Sequence, residues 1–242
     1  RRPFRLTRRL DTSQVPALLS VDSMTKTTPK MPSGAAPGLV GLASAYKAGT
    51  LIAPHAHSAH QIVHAISGTM RVSVQDRVWF LPPGRGLWVP ARTRHAIRCV
   101  GPVDMRTAYL SEIYPVAHSG VALTAVSPLM RETLLRIAAG ANPDLALLLA
   151  EVLLAEIRAG LLAPLSLPIP ADPRIARLAR HLQDHPSDQT GLTSRAWHLG
   201  FSDRTRIRHI RTGTGMTFRE LRRLTRVMVA LDRLAAGQSV TT

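Results

Sequence analysis

Cysteine is almost missing: Cys99 is alone among 242 residues. One thiol closes no disulfide within the chain and cannot by itself build a thiolate metal site. No uninterrupted apolar run approaches the roughly 20 residues that span a bilayer. The basic start Arg1–Arg9 has no apolar stretch behind it, which argues against a secretory signal. There is no nucleophile elbow, no phosphate-binding P-loop and no Gly-x-Gly-x-x-Gly fingerprint, so the common signatures of hydrolases, nucleotide enzymes and dinucleotide enzymes are absent. Acids are outnumbered, 15 against 31 Lys+Arg, for a formal charge of +16. Such a surface attracts polyanions, nucleic acid first and acidic membrane surfaces second. Hydrophobic residues at 45% rule out wholesale disorder. The expectation is a basic cytoplasmic protein of one or two domains with no membrane span.

The charge is unevenly spread. Residues 1–30 hold seven Lys/Arg and two acids, and residues 31–170 hold eleven and seven. Residues 171–242 hold thirteen arginines, no lysine and six acids. Arginine offers a planar fork of donors suited to phosphate and guanine edges, although solvated helix faces would have the same composition. Residues 1–35 mix Arg, Thr, Ser, Pro and Gly without periodicity and read as a poorly ordered leader. The chain opens on Arg1 rather than Met, so a fragment is one expectation.

Residues 36–115 read as β. Runs at Leu39–Tyr46, Gln61–Ile66, Met70–Val74, Val78–Leu81 and Met105–Leu110 are separated by Gly, Pro and Asp turns, which suggests a sandwich or barrel. Residues 116–163 read as a helical packing or dimerisation segment. Ser127-Pro128 and Asn142-Pro143 open its two helices, each with a capping side chain and proline in the first turn. Leu145, Leu148, Leu149, Val152 and Leu153 make the second helix apolar over more than one stripe. The Pro-rich stretch 164–171 reads as an extended linker. Helices follow at about 172–184, 192–199, 203–211 and 217–236. The fold class is therefore α+β, an N-terminal β-sandwich or barrel followed by helices.

Histidines concentrate in the β region. His55 and His57 are two apart, so a strand would turn both to one face. Imidazole suits Zn, Ni, Fe or Cu. Two histidines from one strand and His95 from another could hold a metal, or could line an apolar pocket as polar contacts. The pattern Gly49, His55, His57, Gln61, Gly68, followed by Gly84, Pro90 and His95, resembles the cupin motifs. The resemblance implies that His55, His57 and His95 are metal ligands. It also implies that His55, His57, Gln61 and His95 form an effector or metal pocket for a possible divalent transition metal. Gln61 replaces the usual glutamate, so an anionic oxygen is lost. Arg92 replaces a usual glycine and Cys99 a usual asparagine. His60 reads as an alternative ligand or a solvent-facing strand residue, Trp88 as core, and Cys99 as a small buried hydrophobe.

Near the end, Leu192, Ala196 and Leu199 lie at helical spacing, Gly200 can close that helix, and Ser202 caps another. This is a helix-turn-helix pattern. The second helix carries Arg204, Thr205, Arg206, Arg208, His209 and Arg211, the candidate DNA-binding residues, with Ile207 and Ile210 as its anchoring face. Arg204, Thr205 and Arg208 are the candidates for base edges. Arg206, Arg211, Arg222 and Arg226 are candidates for phosphate. Ser202-Asp203-Arg204-Thr205, Thr214-Gly215-Met216-Thr217-Phe218 and Leu231 to Val240 resemble the first half of an AraC-type regulator domain. With a cupin ahead of it, the arrangement resembles the branch that includes nitroimidazole- and nickel-linked regulators. Arg206 stands at a usually apolar place, Ile207 at a usually small or polar one, and Gly213 where a helix former is common. The family domain has two helix-turn-helix units, and residues 172–242 hold room for one.

The resemblance implies a sequence-specific transcription regulator and not an enzyme. Its implied partners are double-stranded DNA, a small-molecule or metal effector, and a second copy of itself in a homodimer. The competing reading is a metal-dependent cupin enzyme, a dioxygenase or isomerase, using the three histidines. A third is an inactive remnant that still dimerises through residues 127–160.

Overall fold

The structure, a computed structural model, describes residues 26–27, 38–192 and 202–235. Eleven strands come in the order β1 (Lys26–Thr27), β2 (Leu39–Tyr46), β3 (Leu51–His55), β4 (His60–Ser67), β5 (Met70–Val74), β6 (Arg77–Leu81), β7 (Arg85–Val89), β8 (His95–Cys99), β9 (Val103–Leu110), β10 (Ala122–Ala125) and, after two helices, β11 (Ser166–Pro168). The helices are α1 (Pro128–Ala138), α2 (Pro143–Ala159), α3 (Pro173–Asp184), α4 (Asp203–Thr214) and α5 (Phe218–Ala235). One sheet has the order β1-β3-β8-β5-β6-β11, the other β10-β7-β4-β9-β2. Every pairing is antiparallel except β1 with β3. The expected α+β class with an N-terminal β-sandwich is borne out.

Strand alternation sorts side chains into three cores. Between the sheets lie Ile52, Val63, Met70, Val72, Trp79, Leu87, Val89, Ile97 and Met105. The outer face of the second sheet, through Ile62, Trp88 and Leu110, is covered by α1 and α2 with Met130, Leu134, Leu153 and Ile157. The outer face of the first sheet presents Phe80 and Leu167, which pack on Ile175, Leu178, Ile210, Leu221 and Met228 of α3, α4 and α5. The sandwich is thus flanked by helices on both sides. Gly41 permits the α1 contact, because a Cβ there would lie 2.5 Å from the Ile137 carbonyl carbon.

Local signals set the helix starts. Ser127, Asn142, Asp172 and Ser202 cap α1 to α4, each accepting a backbone N–H of the first turn. Proline opens the first three. Elsewhere the structure departs from expectation. The sheets recruit strands from beyond residue 115: β10 pairs with β7, and β11 pairs with β6. The Pro-rich stretch is extended, but as an edge strand rather than a free spacer, a position where proline costs no ladder bond. Within the expected leader, Lys26 and Thr27 pair with Leu51 and Ile52. The rest of that leader, the helix expected at 192–199 except for Leu192, and the last seven residues lie outside the described residues.

The C-terminal helices are held to the first sheet by charge as well as by apolar contact. Arg71 of β5 and Arg98 of β8 lie directly opposite each other on the outer face, an unfavourable like-charge pair. Burial, with Arg98 adding to it, lowers the Arg71 guanidinium to about 10. Asp232 of α5 pairs with Arg71, both mostly buried. Removing Asp232 leaves a half-buried cation unpaired, so Asp232→Ala is expected to cost about 1–3 kcal/mol in urea unfolding. The double change Arg71→Met with Asp232→Leu should recover most of that. Equal loss in both variants would contradict a charge role for the pair.

Candidate functional site

The candidate pocket lies between the sheets. Ile52 of β3 points into the sandwich core, so strict alternation would send His55 outward. A register shift between Ile52 and His55 intervenes, and His55 ends opposite His95 of β8. Such a bulge re-aims a side chain. His57 follows in the next loop, tied to the other motif by the Arg92 N–H on its carbonyl oxygen at 2.7 Å. Arg92 adopts φ +60°, a left-handed conformation unusual for a side-chain-bearing residue, which accounts for glycine being usual there.

The three imidazole rings converge. His55 and His95 have ring centroids 4.4 Å apart, His57 and His95 4.9 Å, and His55 and His57 5.1 Å. One nitrogen from each lies within 4.8 Å of the others. The Nδ1 atoms of His55 and His95 lie 2.7 Å and 2.9 Å from the carbonyl oxygens of Ala53 and Thr93. A carbonyl only accepts, so Nδ1 carries the proton and Nε2 keeps a bare lone pair. The Nε2 atoms of all three histidines are buried without a hydrogen-bond partner. That is the tautomer and desolvation a metal-binding imidazole needs, so these residues fit a divalent transition metal.

Gln61, on β4, is 1% exposed. Its amide nitrogen donates to Thr107 Oγ1 at 2.9 Å and to Tyr109 Oη at 3.2 Å. Its Oε1 is buried and unpartnered. Tyr109 also meets His57 edge to face, ring centroids 4.9 Å apart, so one side chain joins the amide to the histidines. Thr107 and Tyr109 were missed by sequence reasoning. Their alternation with Met105 on one strand face was the signal available.

His60 is not a solvent-facing residue. It stacks on Trp88 at 5.2 Å and accepts the Ala91 N–H, because even positions of β4 face the α1/α2 layer. Trp88 is core, as expected. Cys99 is buried, and burial pushes its thiol up to about 11.

The expected DNA-binding residues divide on α4. Arg204, Ile207, Arg208 and Arg211 are exposed at i, i+3, i+4 and i+7, a single helix face. Thr205 is half-buried and takes part in the cap, with Ser202 Oγ donating to its hydroxyl at 2.9 Å. His209 is half-buried, its Nδ1 3.8 Å from Asp172. Two expectations are corrected. Arg206 is 8% exposed and donates to the Leu192 carbonyl, so it is turned into the fold and not offered with the others. Ile207 is 58% exposed, leaving Ile210 as the anchor. The exchange follows from register: Arg206 lies four residues before Ile210, on the packed face. Arg222 and Arg226 also have structural work. Arg226 donates to the carbonyls of Pro186 and Asp188 at 2.7 and 2.9 Å. Arg222 donates to the Thr190 carbonyl and stacks over Phe218.

Residues 44–110 match the Cupin domain family model, a span that runs from β2 to the end of β9 and holds all three histidines. The chain is 25% identical over 190 residues to the HTH-type transcriptional regulator NimR of Escherichia coli K12, spanning 77% of this chain and 70% of that one. Among solved structures, ToxT of Vibrio cholerae bound to (E)-4-(8-methylnaphthalen-1-yl)but-3-enoic acid matches 83% of this chain and 85% of its own, at 8% identity and TM-score 0.40. An RmlC-like cupin from Shewanella frigidimarina matches 30% of this chain and 66% of its own, at 20% identity and TM-score 0.29. Most of the chain is thus similar to a helix-turn-helix transcriptional regulator, and one segment of it matches the cupin domain, in keeping with the AraC-type resemblance of its sequence.

Burial lowers His57, His64 and His95, the last to about 4, with the Thr93 carbonyl opposing and His55 and His57 adding to the fall for His95. A depressed imidazole disfavours protonation in the folded state. Its contribution is complete above the ordinary value of 6.5 and is lost as pH falls towards 4. Denaturant unfolding of metal-free protein is therefore expected to show stability falling between about pH 6.5 and pH 4, less steeply in His64→Gln. A flat profile would contradict the buried neutral state.

Proposed function

We propose that the chain is a sequence-specific DNA-binding transcription regulator whose cupin pocket senses a small molecule or a metal. The outward stripe of α4, with Arg204, Arg208 and Arg211 around Ile207 on a capped helix, carries this reading. Arginine forks suit guanine edges and phosphates, and an exposed isoleucine suits a thymine methyl group. The relative's designation as a helix-turn-helix regulator supports it. The pocket and the helices share one sheet. β8 carries His95 on its inner face and Arg98 on its outer face, and neighbouring β5 carries the Arg71 that holds Asp232. Occupancy of the pocket would bias how α3 and α5 rest on that sheet, and so DNA affinity.

His55, His57 and His95 would hold a divalent metal through Nε2, with Gln61 Oε1 as a further donor. Such an ion would supply a Lewis-acid anchor for an effector. The chain's own residues aim the three imidazoles, with the carbonyls of Ala53 and Thr93 fixing the tautomer of His55 and His95. The same triad admits a metal-dependent cupin enzyme, a dioxygenase or isomerase. Turnover with stoichiometric metal and no DNA binding would favour that reading over the non-catalytic one. A homodimer is proposed through α2, where Leu147 and Leu148 are exposed, and sedimentation would test it. No helix among the described residues is long and apolar enough to cross a membrane, and a cytoplasmic location is proposed with the regulator role.

The test is selection of duplexes from a random pool, followed by titration of the enriched sequence. Arg208→Ala is expected to lose about 1–3 kcal/mol of binding and to relax preference at one position. Arg206→Ala should instead lower thermal stability while leaving the affinity of the folded fraction nearly unchanged. No enriched sequence, or equal affinity losses from both variants, would overturn the reading.

A further inference from the structure

We propose that the cupin pocket takes its effector as a small anion, a carboxylate, bound to a divalent metal held by His55, His57, His95 and Gln61. This rests on the metal-sensing reading above and deepens it.

The starting point is the charge of the donor set. Among the described residues that could ligate, the triad contains three histidines and no carboxylate. The Nε2 atoms of all three are buried without a hydrogen-bond partner, and in His55 and His95 the opposite nitrogen serves a backbone carbonyl, so the set brings no negative charge. The fourth donor is an amide. Glu112 is exposed and pairs with Arg92 at 2.6 Å. A bound dication would therefore keep both positive charges between the two sheets, whose shared core includes Ile52, Val89 and Ile97. An uncompensated charge in an apolar interior is costly, and an anion from solution is the available counterion.

The neutrality of Gln61 is built in. Thr107 Oγ1 donates its own proton to the Ile62 carbonyl at 2.9 Å, so towards Gln61 it can only accept. That requires the amide NH2 on the Thr107 and Tyr109 side and directs Oε1 away from them, where it has no partner. A carboxylate at 61 would meet an oxygen whose proton is already engaged. The network thus selects an amide, and with it a site short of negative charge. The loop leading to His95 adds exposed Arg94 beside the Arg92–Glu112 pair, so these three residues bring a net positive charge to the approach.

The experiment loads the full chain with Co(II), removes excess metal, and follows visible absorption while acetate, or acetamide of the same shape without the charge, is added. Acetate is expected to change the spectrum saturably, and acetamide to need at least about tenfold more. Gln61→Glu, which supplies an internal carboxylate, is expected to hold Co(II) about tenfold tighter or better and to lose the acetate response. If that variant does not fold, the acetate–acetamide contrast on the unaltered chain decides the matter alone. Co(II) uptake with equal or absent responses to the two molecules overturns this inference and leaves the metal reading standing. No Co(II) uptake overturns both.

Discussion

The sheet of β8, β5 and β6 faces the sandwich core on one side and the C-terminal helices on the other, and the rest of the molecule is arranged around that fact. Their inward side chains, among them His95, Ile97, Val72 and Trp79, belong to the pocket and the sandwich core. Of their outward side chains, Arg71 and Phe80 meet the C-terminal helices, through Asp232 of α5 and through the cluster with Ile175 and Met228. Because side chains alternate with a period of two, neither set can shift without moving the other. A change in the geometry of His95 is therefore a change in the strand whose neighbour holds Asp232 through Arg71. Coupling between a sensor and a reader needs a shared element with contacts to both, and this sheet is such an element.

The two ends of that arrangement are chemically different. The pocket carries no acid: two of its three imidazoles are held in one tautomer by backbone carbonyls, an amide is pinned by Thr107 and Tyr109, and the triad has no carboxylate. The proposed reader is cationic and exposed, with Arg204, Arg208 and Arg211 on one face of α4. The overall charge of +16 conceals this division. Several arginines that count towards it are committed within the fold: Arg71 to Asp232, Arg206 to the Leu192 carbonyl, and Arg226 to the 186–188 loop. Charge alone therefore overstates the surface available to a polyanion.

Much of this was legible in the residues, and the exceptions have physical causes. Met70–Val74 alternates cleanly, and the structure has β5 at those bounds. Ser127-Pro128, Asn142-Pro143 and Ser202 start helices because caps act locally. The cupin spacing brought His55, His57 and His95 together on paper, and their rings do converge. The spacing could not show the bulge that turns His55 inward, since a bulge is a property of two paired strands. Nor could it show β11, whose proline, Pro168, speaks against a strand until an edge position is available. Arg206 and Ile207 read correctly as departures from the family pattern. The direction each faces depended on packing against Leu192 and the sheet-bound helices, which no local window contains.

The most direct test of the account is amide hydrogen exchange of the full chain with and without Co(II). If pocket and helices share a sheet that transmits ligation, metal changes protection in β8, β5, α3 and α5, and His95→Ala abolishes the change at all four. A change limited to the loops around His57 and His95, with α3 and α5 unaltered while metal is bound, would contradict it.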